Sequence, residues 1–147
     1  MEFTYETRFD QPVERVYPYV ADPTLWGEYV AAVVERTSMP DTTDGAVPRW
    51  QAVDRLGPMR VSFTDVLVER DEGHRVVWRH SAPWNATTEY RLEPDGSGAR
   101  LSMRFTGSPS GPLWFMGLIP GGIAARMMAR DFARLRQVLG SGSPADR

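Results

Sequence analysis

Hydrophobic and polar residues alternate over residues 2–9, with Phe3, Tyr5, Thr7 and Phe9 on one side and Glu2, Thr4, Glu6 and Arg8 on the other. A period of two marks a half-buried β-strand. Asp10-Gln11-Pro12 then signals a helix start, with Pro12 at or near the first helical position, where its missing N–H costs least. Val13, Val16, Tyr17 and Val20 form the apolar stripe of that helix. Asp22-Pro23 breaks it and opens a second short helix through Trp26 and Tyr29.

The middle of the chain reads as strand and turn. Val33–Thr37 is a strand, followed by a polar loop around Met39–Ala46. Trp50, Ala52, Asp54 and Leu56 then alternate against Arg49, Gln51, Val53 and Arg55. Gly57-Pro58 turns the chain into a long strand, Met59–Arg70. Met59, Val61 and Phe63 share one face there, but Val66 and Val68 have the opposite parity, which predicts a bulge near Thr64-Asp65. A turn at Asp71–His74 leads to Arg75–Ser81, with Val76, Trp78 and His80 in phase. Beyond Pro83, the residues Trp84, Ala86, Thr88, Tyr90 and Leu92 line one face of a further strand. Pro94–Gly98 is a hairpin turn, and Leu101, Met103 and Phe105 complete the last strand.

From about Ile119 the period changes to 3.6: Ala124 or Ala125, Met128, Phe132, Leu135 and Leu139 stack on one side of a helix. The order β–α–α–β₆–α predicts an α+β domain over residues 1–139, with residues 140–147 as a flexible tail. Its six- or seven-stranded antiparallel sheet needs one face covered. A single helix is only about 10–12 Å wide. A curved sheet wrapped around the long C-terminal helix, with space left between them, solves that problem.

Composition narrows the chemistry. The 147 residues suit one domain. The absence of Cys removes thiol nucleophiles, disulfides and cysteine-ligated metals. All 17 basic residues are Arg, so Schiff-base and P-loop lysine chemistry are closed as well. Only His74 and His80 are present, too few for a three-histidine metal site. No metal and no cofactor is therefore expected. A net charge of -2 gives no bulk signature for nucleic acid. Neither a signal peptide nor a long apolar run is visible, so a cytoplasmic protein without a transmembrane segment is expected, as a monomer or a homodimer.

Several of these features together carry a family resemblance. The opening strand, Pro12-Val13-Glu14-Arg15-Val16 (P-x-E-x-V), Asp22-Pro23-Thr24-Leu25-Trp26 (D-P-x-x-W) and the Arg-rich amphipathic C-terminal helix resemble the START-like helix-grip (SRPBCC, Bet v 1-like) superfamily. The resemblance is to its polyketide cyclase/dehydrase-like branch and runs over about residues 2–139. The superfamily includes aromatase/cyclases, plant-type allergens, lipid carriers and hormone receptors. It implies a cavity between sheet and long helix for a hydrophobic, aromatic or polycyclic small molecule.

Candidate residues follow from strand parity and from the apolar sides of the helices. Trp26, Trp50, Phe63, Trp78, Trp84, Met103, Phe105, Met128 and Phe132 are placed to line such a cavity, or else to pack an ordinary core. Trp114 belongs to the Gly- and Pro-rich stretch Ser108–Gly122. There Leu113, Trp114 and Phe115 form either a gate over ligand, a membrane or partner contact, or packing of the helix start. His80 shares the inward parity of Val76 and Trp78 and suits proton transfer near neutrality. Its bland alternative is a His tied to backbone or lying at the rim. Asp54 and Asp65 share parity with Trp50 and Phe63. Either carboxylate, if not at the surface, can orient His80. Tyr90, inward by pattern, can donate to a developing enolate. Arg79, Arg91 and Arg104 fall in outward phases, and no Arg is placed inside.

Two functions remain open. One is a cyclase or dehydratase using His80, Tyr90 and a carboxylate, recognisable by a polar cluster deep in apolar surroundings. The other is a noncatalytic binder or carrier of a lipid-like or polycyclic metabolite, with a uniformly apolar interior. A collapsed core would instead indicate a structural or regulatory partner.

Overall fold

The computed structural model describes residues 1–40 and 47–140. Most of the expected polar loop, residues 41–46, and the expected tail from residue 141 onward lie outside the described residues. Strand β1 (Glu2–Phe9) is followed by helix α1 (Val13–Ala21) and a 3₁₀ helix, Pro23–Glu28. Six strands come next: β2 (Val33–Ser38), β3 (Arg49–Leu56), β4 (Met59–Asp71), β5 (Arg75–His80), β6 (Ala86–Asp95) and β7 (Gly98–Gly107). A second 3₁₀ helix, Gly111–Leu118, leads into the long helix α2 (Gly121–Gly140).

The strands form one seven-stranded antiparallel sheet in the order β1-β7-β6-β5-β4-β3-β2. Only β1 leaves chain order, and α1 with the first 3₁₀ helix supplies its crossing to the far edge. Pro12 stands just outside α1 as its N-cap. Asp22 caps the 3₁₀ helix, its Oδ1 accepting from Thr24 N at 3.0 Å and from the Thr24 hydroxyl at 2.6 Å. Gly98 begins β7 so close to β1 that a Cβ there would sit 2.2 Å from the Phe9 carbonyl oxygen.

The inner face of the sheet packs on α1 and α2. Ala124, Phe132, Leu135 and Leu139 are the buried stripe of α2. Phe132 stacks on Tyr5 at 5.5 Å and meets Phe9 and Tyr29 at 6.3 and 5.9 Å. Trp78 is fully buried and takes the edges of Trp26 and Trp50 at 5.1 and 5.2 Å. Its indole N–H donates to Val20 O at 3.0 Å, and the Tyr29 hydroxyl donates to Tyr19 O at 2.7 Å. These rings occupy much of the space expected to stand open between sheet and helix. Two hollows, of about 380 and 280 Å³, open instead on the outer side of the sheet, among outward residues such as Arg79 and Thr87 or Glu89 and Arg104.

The bulge in β4 also differs from expectation. The register shifts between Leu67 and Glu69, three residues after the predicted place. Val61, Phe63, Asp65 and Leu67 therefore keep one inward parity, and Asp65 is carried into the interior.

Candidate active site

Three inward positions on adjacent strands define the site. Asp65 of β4 pairs directly with His80 of β5, which in turn pairs with Ala86 of β6. Thr88, two residues along β6, is therefore the diagonal neighbour of His80, within side-chain reach. His80 Nδ1 lies 2.6 Å from Asp65 Oδ1, and its Nε2 lies 2.9 Å from the Thr88 hydroxyl. In the tautomer with its proton on Nδ1, the ring donates to Asp65 and accepts the Thr88 hydroxyl proton at Nε2. This is the connectivity of a hydroxyl–imidazole–carboxylate chain.

The cation that balances Asp65 comes from β2. In simple alternation Arg36 would oppose Val33 and face outward. The register of β2 on β3 shifts between Val33 and Glu35, so Arg36 pairs with Ala52 and faces inward. Ala52 is small and fully buried, which leaves room for the guanidinium to cross β3. Arg36 Nη1 donates to Asp54 Oδ1 at 2.8 Å, and Arg36 Nε lies 2.6 Å from Asp65 Oδ2. The second contact is close as a charge pair but poorly aligned as a hydrogen bond, since neither atom has a hydrogen-bond partner among the described residues. The guanidinium also lies over the rings of Trp26 and Phe63, at 5.5 and 5.2 Å. Cations are stabilised on such faces, more so when desolvated.

The cluster is deep. The side chains of Arg36 and Asp65 are 5% and 0% exposed. Two carboxylates share one guanidinium, so with the imidazole neutral the group carries one excess negative charge, and a proton held within it restores balance. Burial raises the Asp54 carboxyl above its ordinary value, and Arg36 only partly opposes that shift. Burial likewise raises the Tyr90 hydroxyl, which stays protonated at physiological pH.

Aromatic residues enclose the polar group. Phe63 meets His80 edge to face at 6.2 Å and Trp84 at 6.4 Å, and Trp84 meets Phe105 at 6.4 Å. The indole N–H groups of Trp26 and Trp84 are buried without an acceptor among the described residues. Leu113 and Met116 of the second 3₁₀ helix close this end by packing against Ala52, Val61 and Phe63.

Not every candidate comes to this place. Asp54, Asp65, His80, Phe63, Trp26, Trp84 and Phe105 gather around it. Trp50 and Trp78 pack against one another nearby, whereas Met103, Met128 and Phe132 belong to the main core under α2. Tyr90 is half-buried on the inner face of β6. Trp114 departs from the expected lining: it is 64% exposed, with Phe115 also outward, because Leu113 and Met116 take the inward positions of the short helix. Trp84 stands in the turn before β6 rather than in the strand. Arg91 and Arg104 do face outward, pairing with Glu89 at 3.1 Å and Glu2 at 2.9 Å. Two site residues, Arg36 and Thr88, escape the sequence reading. Parity places Thr88 inward without marking it for chemistry. The sole sequence signal for Arg36 is an Arg whose parity disagrees with Val33.

The fold is that of the helix-grip proteins, a curved antiparallel sheet closed by a long C-terminal helix. The family profile described as polyketide cyclase / dehydrase and lipid transport matches residues 1–140, and the chain belongs to that family. Among solved structures, the TTHA0849 protein of Thermus thermophilus superposes with a TM-score of 0.74 at 21% identity, covering 97% of this chain and 100% of that one. A conserved protein from Geobacillus kaustophilus gives a TM-score of 0.70 at 12% identity, with 96% of each chain covered. The di-domain aromatase/cyclase BexL from the BE-7585A biosynthetic pathway gives 0.65 at 18% identity; 93% of this chain covers 49% of that protein. Comparison with curated proteins gives no match. Among the described residues no helix is long and apolar enough to cross a membrane.

Proposed function

We propose that the protein is an acid–base catalyst of the cyclase or dehydratase type, acting on a hydrophobic compound that carries ketone and hydroxyl groups. The observation that carries this reading is the buried chain Thr88–His80–Asp65 held by Arg36 inside aromatic surroundings. A binder needs no such cluster. Ion pairs of this kind add little net stability, because desolvation offsets their attraction. The two indole N–H groups without acceptors suit a ligand rich in carbonyl oxygen, which would satisfy them.

In the proposed reaction the substrate takes the place of the Thr88 hydroxyl at His80 Nε2. That nitrogen removes a proton from the carbon beside a ketone, and Asp65 stabilises the imidazolium that forms. The electron pair moves onto the ketone oxygen, which accepts a hydrogen bond from the indole N–H of Trp84. In dehydration the enolate collapses to a C=C bond and expels the β-hydroxyl, which takes a proton from Asp54 and leaves as water. In cyclisation the enolate carbon instead bonds to a second carbonyl carbon, and the alkoxide takes that proton. Substrate enters as the helix Gly111–Leu118 lifts from Phe63. Closure then excludes water and fixes the chain for reaction.

The test is incubation of the pure protein with small-molecule extract of its source cells, read by mass spectrometry. Loss of water or isomerisation of one compound by the wild type, and not by His80→Gln, is the expected result. A compound bound and returned unchanged by both proteins would replace this reading with that of a carrier.

A further inference from the structure

The outer side of the cover has a different composition from the site beneath it. Trp114, Phe115 and Leu118 point outward from the second 3₁₀ helix, and Ile123 and Met127 point outward from the first turns of α2. Leu118 is 72% exposed. The two elements are joined only by Ile119 and Pro120, so five large apolar side chains are presented on one short stretch of chain. Single exposed apolar residues are ordinary, but a set that includes Trp and Phe marks a contact surface.

Charge identifies what it contacts. Between Asp95 and Asp131 the sequence has no Asp or Glu. Within the cover and the start of α2 the charged side chains are Arg126 and Arg130, both exposed and without an ion pair among the described residues. They follow Ile123 and Met127 by about one turn along the same side of α2. An apolar tip with an indole, flanked by exposed cations, fits a bilayer interface: rings and aliphatic groups enter the acyl boundary and guanidinium groups reach lipid phosphates. A second copy of the chain fits poorly. A two-fold contact through this patch would bring its arginines toward their own copies, and the segment has no acid to pair with them.

We propose that the face formed by Trp114, Phe115, Leu118, Ile123 and Met127, with Arg126 and Arg130, docks the protein reversibly onto anionic lipid bilayers. Docking places the cover of the site against the phase in which an apolar compound is dissolved. The surface stands as described whether or not the interior is catalytic.

The experiment uses the full chain with two kinds of vesicle, phosphatidylcholine alone and a mixture with phosphatidylglycerol. Sedimentation measures binding, and brominated phosphatidylcholine reports the depth of Trp114 by fluorescence quenching. The other four tryptophans are buried or half-buried, so Trp114 dominates the change. Binding to the anionic vesicles that weakens with added salt is expected. Trp114→Ser with Leu118→Ser should reduce it by about tenfold or more. Arg126→Gln with Arg130→Gln should reduce binding to anionic vesicles while leaving circular dichroism and oligomeric state unchanged. Absence of binding to either vesicle overturns the proposal, as does unchanged binding by the Trp114/Leu118 variant. A wild-type dimer that the same variant converts to monomer assigns the face to a second copy and also overturns it.

Discussion

The interior has two halves built on opposite plans. Under α2, Phe9, Val16, Val20, Trp78, Phe132, Leu135 and Leu139 pack without a charged side chain among them, and the Trp78 N–H and the neighbouring Tyr29 hydroxyl are hydrogen-bonded to backbone. At the other end, beneath Gly111–Leu118, one guanidinium, two carboxylates, an imidazole and a hydroxyl share a space walled by Phe63, Trp26 and Trp84. The first half holds the fold by removing apolar surface from water, about 1.5–3 kcal/mol for each large side chain. The second offsets its own gains with desolvation. A sheet of this size can be stabilised entirely by the first plan. The second is therefore the half to suspect of chemistry.

The comparison can be broken from either side. The largest effect is expected for Phe132→Ala, about 3–5 kcal/mol of lost stability by urea unfolding. Any activity should then follow the folded fraction alone. Arg36→Ala should cost nearly as much, roughly 3–4 kcal/mol, because it strands Asp54 and Asp65 without a counter-charge. Replacing the group together, as Arg36→Met, Asp54→Leu and Asp65→Leu, should recover most of that loss in the same titration. If the triple variant is stable and still turns substrate over, the polar half is structural.

His80→Gln separates the roles more finely. Its amide can keep one hydrogen bond, so stability should fall by about 1 kcal/mol while turnover falls by about a hundredfold or more. Parallel losses in urea titration and turnover would mean that His80 only holds the strands together.

The smallest effect concerns Asp131, whose Oδ1 accepts from Ala31 N at 3.3 Å. Burial raises its carboxyl above the ordinary value, so the folded state holds this proton more tightly than the unfolded state does. Stability from this group is therefore lost as pH rises from the ordinary carboxylate value through the folded one. Asp131→Asn keeps an acceptor and removes the charge. It should melt slightly higher than the wild type at about pH 7, and the gap should close below about pH 4.

Much of this was legible in the sequence, because strands and helices repeat locally. The alternation of residues 2–9, the Pro12 and Asp22-Pro23 boundaries and the stripe through Phe132, Leu135 and Leu139 each depend on neighbours a few residues away. They were enough for the element order and for the side of the sheet on which Asp54 and His80 fall. Arg36 and the parity of Asp65 were decided elsewhere. A bulge moves every later side chain to the other face, and its position depends on how two strands pair, here at Val34 and Val68. The same holds for the cover, where Leu113 rather than Trp114 turned inward. Local pattern determined which residues share a face. Pairing across strands determined which of those faces meet, because hydrogen-bond register and close packing are properties of two segments at once.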